Sequence, residues 1–191
     1  MSKQRITVYD VIGVGFMAAL VFAGSQISIP IPSIIGVTRI HLGNIFCLLS
    51  GFLLGGLRGG LAAGIGSMFY DLTNPAYISD APITFFNKFM MGFVCGQIAF
   101  SGETQKTQAA RSIIAGVCGA LTYVALYLCK TFINDVFFLR TELQTALIDL
   151  STKAPVSLTN AAIAVVISVP AAAIIKKSLI NMPLYRKILN Q

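Results

Sequence analysis

What most constrains this chain is a row of long apolar runs almost free of charge. From Val11 to Ile29 no charged residue occurs, close to the roughly 20 apolar residues a helix needs to cross a bilayer's hydrocarbon. Comparable runs follow over 40–55, 61–72, 83–100, 111–132 and 156–175. Only 11% of the residues are charged and 55% are hydrophobic, whereas a soluble domain carries about 25% charged residues. Such a chain cannot cover a water-facing surface. It reads as an all-α membrane protein of six transmembrane helices, with 1–191 as a single integral membrane domain.

The net charge of +7 would suit a nucleic-acid partner if the basic residues shared one polar face. They stand singly between apolar runs instead, as membrane-flanking charges do, so no nucleic acid is expected. Cys47, Cys95, Cys118 and Cys129 all lie within apolar runs and form no CxxC pair. They read as small packing residues rather than disulfide or metal ligands. No cleavable signal peptide is evident: 1–10 is short and charged, and the run behind it lacks a small-residue cleavage site.

Taken in order, the first span carries Gly15, Ala19 and Ala23 four residues apart, a ridge that lets another helix approach closely in lipid. That ridge suits either an internal helix contact or a partner protein. Pro30 and Pro32 end the span and favour extended backbone, so the segment through Thr38 should lie at the membrane surface or fold over the bundle. Arg39 and His41 open the second span. The glycine-dense stretch 55–60, with Arg58, reads as a tight turn into a short third span ending at Asp71. A polar stretch leads to the fourth span, which has Asn87 and Lys88 near its start. The stretch 101–107, with Glu103 and Lys106, reads as a polar turn. Over 134–153, Leu143, Ala146, Leu147 and Leu150 stand opposite Glu142 and Asp149, the pattern of an amphipathic interfacial helix. A sixth span comes after Pro155, with Asn160 near its start and Pro170 inside.

Six spans place both termini on one side. With that side inside, Lys3, Arg5, Arg58, Lys106, Arg111, Lys176, Lys177, Arg186 and Lys187 fall inside, and only Arg39, Lys88, Lys130, Arg140 and Lys153 fall outside. The positive-inside rule then gives an N-in, C-in topology.

Ionisable groups at membrane depth are costly and mark functional positions. Arg39, His41, Asp71, Asp80, Asn87, Lys88 and Asn160 all map to outer helix ends. They can converge on one outward pocket. Alternatively, Arg39 and Lys88 reach the outer headgroups with Asp71 and Asp80 as partners. Asn44, Asn74, Tyr77 and Thr84 are further polar candidates beside them. The lone His41 reads as a hydrogen-bonded residue at a helix start rather than a proton relay. No GxSxG, HExxH or GxxxxGK[ST] occurs, so hydrolase, zinc-protease and ATP-hydrolysing chemistries lack their groups. Neither a filter repeat nor an inverted repeat shows. What remains is a binding subunit; a membrane enzyme using Asp71 and His41, or a scaffold without a ligand, are the other classes.

The order of several elements resembles a known family: the Ala19-xxx-Ala23 ridge; Arg39-Ile-His-Leu-Gly-Asn44; the glycine-rich run 51–66 followed by Asp71; then Tyr77, the run from Ala81-Pro82 through Thr84 to Asn87-Lys88, and Met91-Gly92. Across essentially the whole chain it is similar to the substrate-binding S components of energy-coupling factor (ECF) transporters, in the riboflavin-type branch. The resemblance implies a six-helix protein of the bacterial plasma membrane that captures a vitamin on the outer side and needs no cofactor. It implies a gate formed by the loop after the first helix, here 29–38. It also implies a docking face, here Gly15, Ala19 and Ala23, for a transmembrane coupling subunit that sits on two ATPase subunits. Tyr77, Phe85, Phe86, Tyr123 and Tyr127 could stack on a ring. Riboflavin is the vitamin the branch is named for; pyridoxine, a pyrimidine or pantothenate would be the alternatives.

Overall fold

The first helix, α1 (Val8–Gln26), starts where Asp10 turns back on Thr7. The Asp10 carboxylate accepts from both the backbone N–H and the hydroxyl of Thr7, each at 2.9 Å, satisfying donors that a helix start leaves open. The same carboxylate takes Arg58 at 3.2 Å, which ties the start of α1 to the start of the third helix. The structure, a computed structural model, describes residues 7–101 and 108–179. Lys3, Arg5, Glu103, Lys106, Arg186 and Lys187, assigned above to flanks and a turn, lie outside the described residues.

After α1 the chain forms a β-hairpin, β1 (Ser28–Pro32) and β2 (Val37–His41), antiparallel and in the register Ser28↔His41 to Pro32↔Val37. Next come the helices α2 (Gly43–Leu54), α3 (Gly56–Thr73), α4 (Ala81–Phe100), α5 (Gln108–Ile133) and α6 (Leu143–Leu179). A 3-10 turn, Ile78–Asp80, leads into α4, and a π turn, Asn134–Phe138, ends α5. Among the described residues four helical stretches are long and apolar enough to cross a membrane: Val8–Gln26, Ile78–Phe100, Ala109–Phe138 and Leu143–Ser178. Helix α2 is apolar but shorter.

The architecture is helical, as its composition requires, with local departures from the expected elements. Arg39 and His41 sit on strand β2 rather than on a helix. The prolines of β1 set extended backbone, and that backbone pairs with Val37–His41. The turn expected over 55–60 contracts to Gly55. Its φ of 83° breaks α2, and α3 begins at once. The glycines beyond it serve packing. A Cβ on Gly59 would lie 2.6 Å from the Gly51 Cα, and one on Gly92 would lie 2.8 Å from the Gly59 carbonyl oxygen. Helices α2, α3 and α4 therefore meet backbone to backbone. Around this seam the core fills with Val21, Leu48, Phe52 and Met91, together with Cys47 and Cys95; Cys129 is instead exposed.

The largest departure is α6. No separate interfacial helix precedes it: one helix of 37 residues runs through both Pro155 and Pro170. Around the first proline the hydroxyls of Ser151, Thr152 and Thr159 bond the carbonyls of Ile148, Asp149 and Pro155 at 2.7–2.9 Å. The amphipathic pattern there holds only in part: Ala146 is buried and Glu142 exposed, but two leucines and Asp149 depart from it. Leu143 and Leu147 are more than half exposed, while Asp149 is fully buried. In lipid the apolar side faces outward and polar groups turn to the protein interior.

Candidate functional site

Opposite the Asp10–Arg58 end, the hairpin lies over the mouth of a cavity of about 260 Å³. Three helices present one face each to it, by the spacing that stacks side chains over successive turns. Helix α4 gives Thr84, Asn87 and Lys88; α5 gives Tyr123, Tyr127 and Lys130; α6 gives Lys153, Ser157 and Asn160. Asp71 enters from the end of α3, and Ile35, Thr38, Arg39 and His41 close it from the hairpin.

Each charged group is held by the helix ends around it. The Arg39 guanidinium lies between two rings, 4.1 Å from the centre of Tyr70 and 4.4 Å from that of Tyr77, and pairs with Asp71 at 3.3 Å. Lys88 is 3% exposed. Its ammonium donates to the Asn44 side-chain oxygen and sits 3.6 Å from the centre of the Tyr123 ring, a favourable cation–π contact in a desolvated place. Lys130 reaches Asp80 at 2.6 Å. The Asn160 amide brackets the hairpin: its nitrogen donates to the Arg39 carbonyl at 2.7 Å and its oxygen accepts from the His41 N–H at 3.1 Å. At the other end of the hairpin, Asp149 and Lys153 hold Ile35. Thr38 and the Tyr127 hydroxyl share a hydrogen bond of 3.2 Å.

Burial, reinforced by the nearby charges of Lys88 and Arg39, holds the His41 imidazole well below its ordinary pKa, so it is neutral at physiological pH. One nitrogen each of Arg39, His41 and Asn44 is buried without a hydrogen-bond partner in the protein. Of these, Arg39 and His41 line the cavity with Lys88 and leave unspent hydrogen-bonding capacity, mostly donors, around it, while Asn44 lies behind Lys88. With Tyr123 and Tyr127 side by side, 5.9 Å between ring centres, the space suits a flat polar molecule bearing acceptor atoms.

Most sequence-selected residues meet here: Arg39, His41, Asp71, Tyr77, Asp80, Thr84, Asn87, Lys88 and Asn160 all line the cavity. Asn44 stands behind Lys88 as its acceptor. Asn74 does not join them; its side chain accepts from the Ala76 N–H at 3.1 Å and shapes a turn. Of the suggested stacking residues, Phe86 is half exposed and Phe85 packs on Phe89 at 6.1 Å, so neither reaches the cavity. Thr38, Lys130, Asp135, Lys153 and Ser157 line the cavity too, although they are not among the site residues expected from the sequence. The signal for Lys153 and Ser157 was the i, i+4, i+7 spacing of Lys153, Ser157 and Asn160, once Pro155 is allowed within a helix. Gly15, Ala19 and Ala23 lie on α1, with Gly15 and Ala19 bordering a shallow apolar groove with Ile65, Gly66 and Phe69 of α3.

Comparison with known proteins gives one family. The family model described as "ECF-type riboflavin transporter, S component" matches residues 5–177. No curated protein matches the chain. S components are transport proteins, not enzymes, and the apolar helices make this a multi-pass membrane protein. With that match spanning helices α1 to α6, the chain belongs to the S components of ECF-type riboflavin transporters, the substrate-binding subunits of those systems.

Proposed function

We propose that the cavity beneath the hairpin binds riboflavin from the outer side of a bacterial plasma membrane, and that this capture is the chain's whole chemical task. The observation that carries the reading is the pairing of stacked tyrosines with the Lys88 ammonium and the buried, unspent polar groups of Arg39 and His41 in one cavity wall. A tricyclic ring with a dione edge meets both demands. The topology is N-in and C-in. Arg58 and Lys176 share the end away from the cavity: Arg58 pairs with Asp10, and Lys176 lies 4.9 Å from the ring centre of Phe100, where α4 ends. Basic residues at that end favour the cytoplasmic side. Release inward and coupling to ATP fall to a transmembrane coupling subunit and two ATPase subunits, which meet the Gly15–Ala19–Ala23 face.

The test is titration of purified protein with riboflavin beside pyridoxine, pantothenate and a pyrimidine. Saturable binding of riboflavin alone is expected. Binding of another member of the panel in its place would reassign the substrate, and no saturable ligand at all would overturn the reading. A second arm replaces Ala19 and Ala23 with Leu. Binding should persist while ATP-driven uptake is lost; loss of binding instead would make the ridge an internal contact.

A further inference from the structure

The tip of the hairpin is held unlike its base. At the base a neutral amide, Asn160, bonds backbone groups of Arg39 and His41. At the tip the ion pair Asp149–Lys153, 2.6 Å apart on successive turns of α6, holds both backbone polar groups of one residue. Asp149 Oδ1 accepts from the Ile35 N–H at 2.8 Å, and Lys153 Nζ donates to the Ile35 carbonyl at 2.9 Å. The turn's own backbone bond, Ser33 N–H to the Gly36 carbonyl at 3.1 Å, leaves the Ile35 N–H to α6, and the Ile35 carbonyl takes Lys153 together with a longer bond from the Ser33 hydroxyl at 3.3 Å. The hairpin is an isolated pair of strands with no third strand to hold it, and such a pair has little stability of its own; Pro30 and Pro32 fall between the bonded positions, so its ladder is kept. Its position over the cavity is therefore set by what grips it: Asp71 on Arg39 and Tyr127 on Thr38 along β2, and α6 at its base and at its tip.

We propose that Asp149 and Lys153 are positioning residues that form a catch holding the hairpin tip closed over the cavity, with the Asn160 bracket as the hinge. This rests on the reading of the hairpin as the lid of a ligand cavity. The two grips differ in what release costs. Freeing Ile35 leaves a buried carboxylate and a buried ammonium that still satisfy one another, so the tip can lift without stranding a charge. Asp135 supports the exchange. It lines the cavity beside Lys153, lies within electrostatic reach of Lys153 and Asp149, and has a buried Oδ2 with no hydrogen-bond partner. Lys153 therefore has a second carboxylate to turn to when the tip leaves. Freeing the base would strand the Asn160 amide and two backbone groups, so the base stays.

Hydrogen exchange on the full chain without ligand reads the catch directly, because the Ile35 amide is one of its bonds. In Asp149→Ala, exchange in peptides covering the turn should quicken by about tenfold or more, while peptides from α3 and α4 stay unchanged. Asp149→Asn keeps an acceptor without the charge and should give a smaller increase, and it serves if the alanine variant does not fold. The decisive variant is the exchange Asp149→Lys with Lys153→Asp. It restores an ion pair on α6 but sets an ammonium against the Ile35 N–H. A catch stays broken and the turn keeps exchanging fast; a pair that merely stabilises α6 would be rescued. Riboflavin should leave Asp149→Ala at least about tenfold faster than it leaves the unaltered protein, with association no slower. Unaltered exchange at the turn in Asp149→Ala, or rescue by the swap, overturns the catch. Failure of the unaltered protein to bind riboflavin overturns the substrate reading and leaves the exchange result standing.

Discussion

At the scale of single residues, burial decides which charges matter. Lys88 has no carboxylate within ion-pairing distance among the described residues, and its contacts are an amide oxygen and a ring face. Lys130 has its carboxylate partner, but in a pair where Asp80 is more than a third exposed, and water screens such pairs. Lys88→Gln should therefore weaken riboflavin binding by about tenfold or more, and Lys130→Gln by less than about threefold. Equal losses in a binding titration would refute the ranking. His41 gives a pH signature. Its folded pKa is depressed, so as pH falls through about 6.5 the unfolded chain takes up a proton that the folded chain refuses. Stability should fall as the solution is acidified from about pH 7.5 to about 5.5, and His41→Gln should flatten that slope in thermal unfolding. Lys88 and Asp71 were legible in the sequence because a charge inside an apolar run is conspicuous. Tyr123 and Tyr127 were legible only alongside Phe85 and Phe86, which miss the cavity, and Ser157 was not legible: within a helix that is apolar all round, a single aromatic or serine carries no sign of which way it faces.

At the scale of elements, the α2–α3–α4 seam and the outer face of α1 use glycine for opposite ends. Gly92→Ala would press a methyl against the Gly59 carbonyl, and since both partners are backbone the helices must part. A loss of about 1–3 kcal/mol is expected, visible as a lower melting temperature in detergent. Gly15→Ala meets nothing within 4 Å and should leave the melting temperature unchanged or slightly raised, as helix propensity favours alanine. The existence of the helices was legible from the spacing of apolar runs. Their joints were not. Gly55 alone makes the tight turn that the glycine-dense stretch 55–60 had suggested would take six residues, and the hairpin forms because Pro30 and Pro32 fix extended backbone in which Ile29 and Ile31 pair with Ile40 and Thr38. Asp149 was misplaced for a related reason. The rule that puts acids on the solvent face of an amphipathic helix assumes water outside, and here lipid stands there.

At the scale of the whole molecule, the chain has two unlike ends. One gathers Asp10, Arg58, Phe100 and Lys176; the other gathers the hairpin and every cavity residue. With Cys129 replaced by Ser, a cysteine in place of Ser79 should react with an impermeant maleimide applied from outside intact cells. One in place of the exposed Ser101 should react only after permeabilisation, and the reverse pattern would invert the topology. The two ends also give the molecule an optical property. The sequence holds no tryptophan and six tyrosines, and three of these, Tyr77, Tyr123 and Tyr127, stand in the cavity wall. Its ultraviolet emission therefore comes from tyrosine alone, and half of the emitters border the space a ligand enters. A flavin seated among them would drain that emission by resonance transfer, so occupancy can be followed in the unlabelled protein as a dimming of its own light.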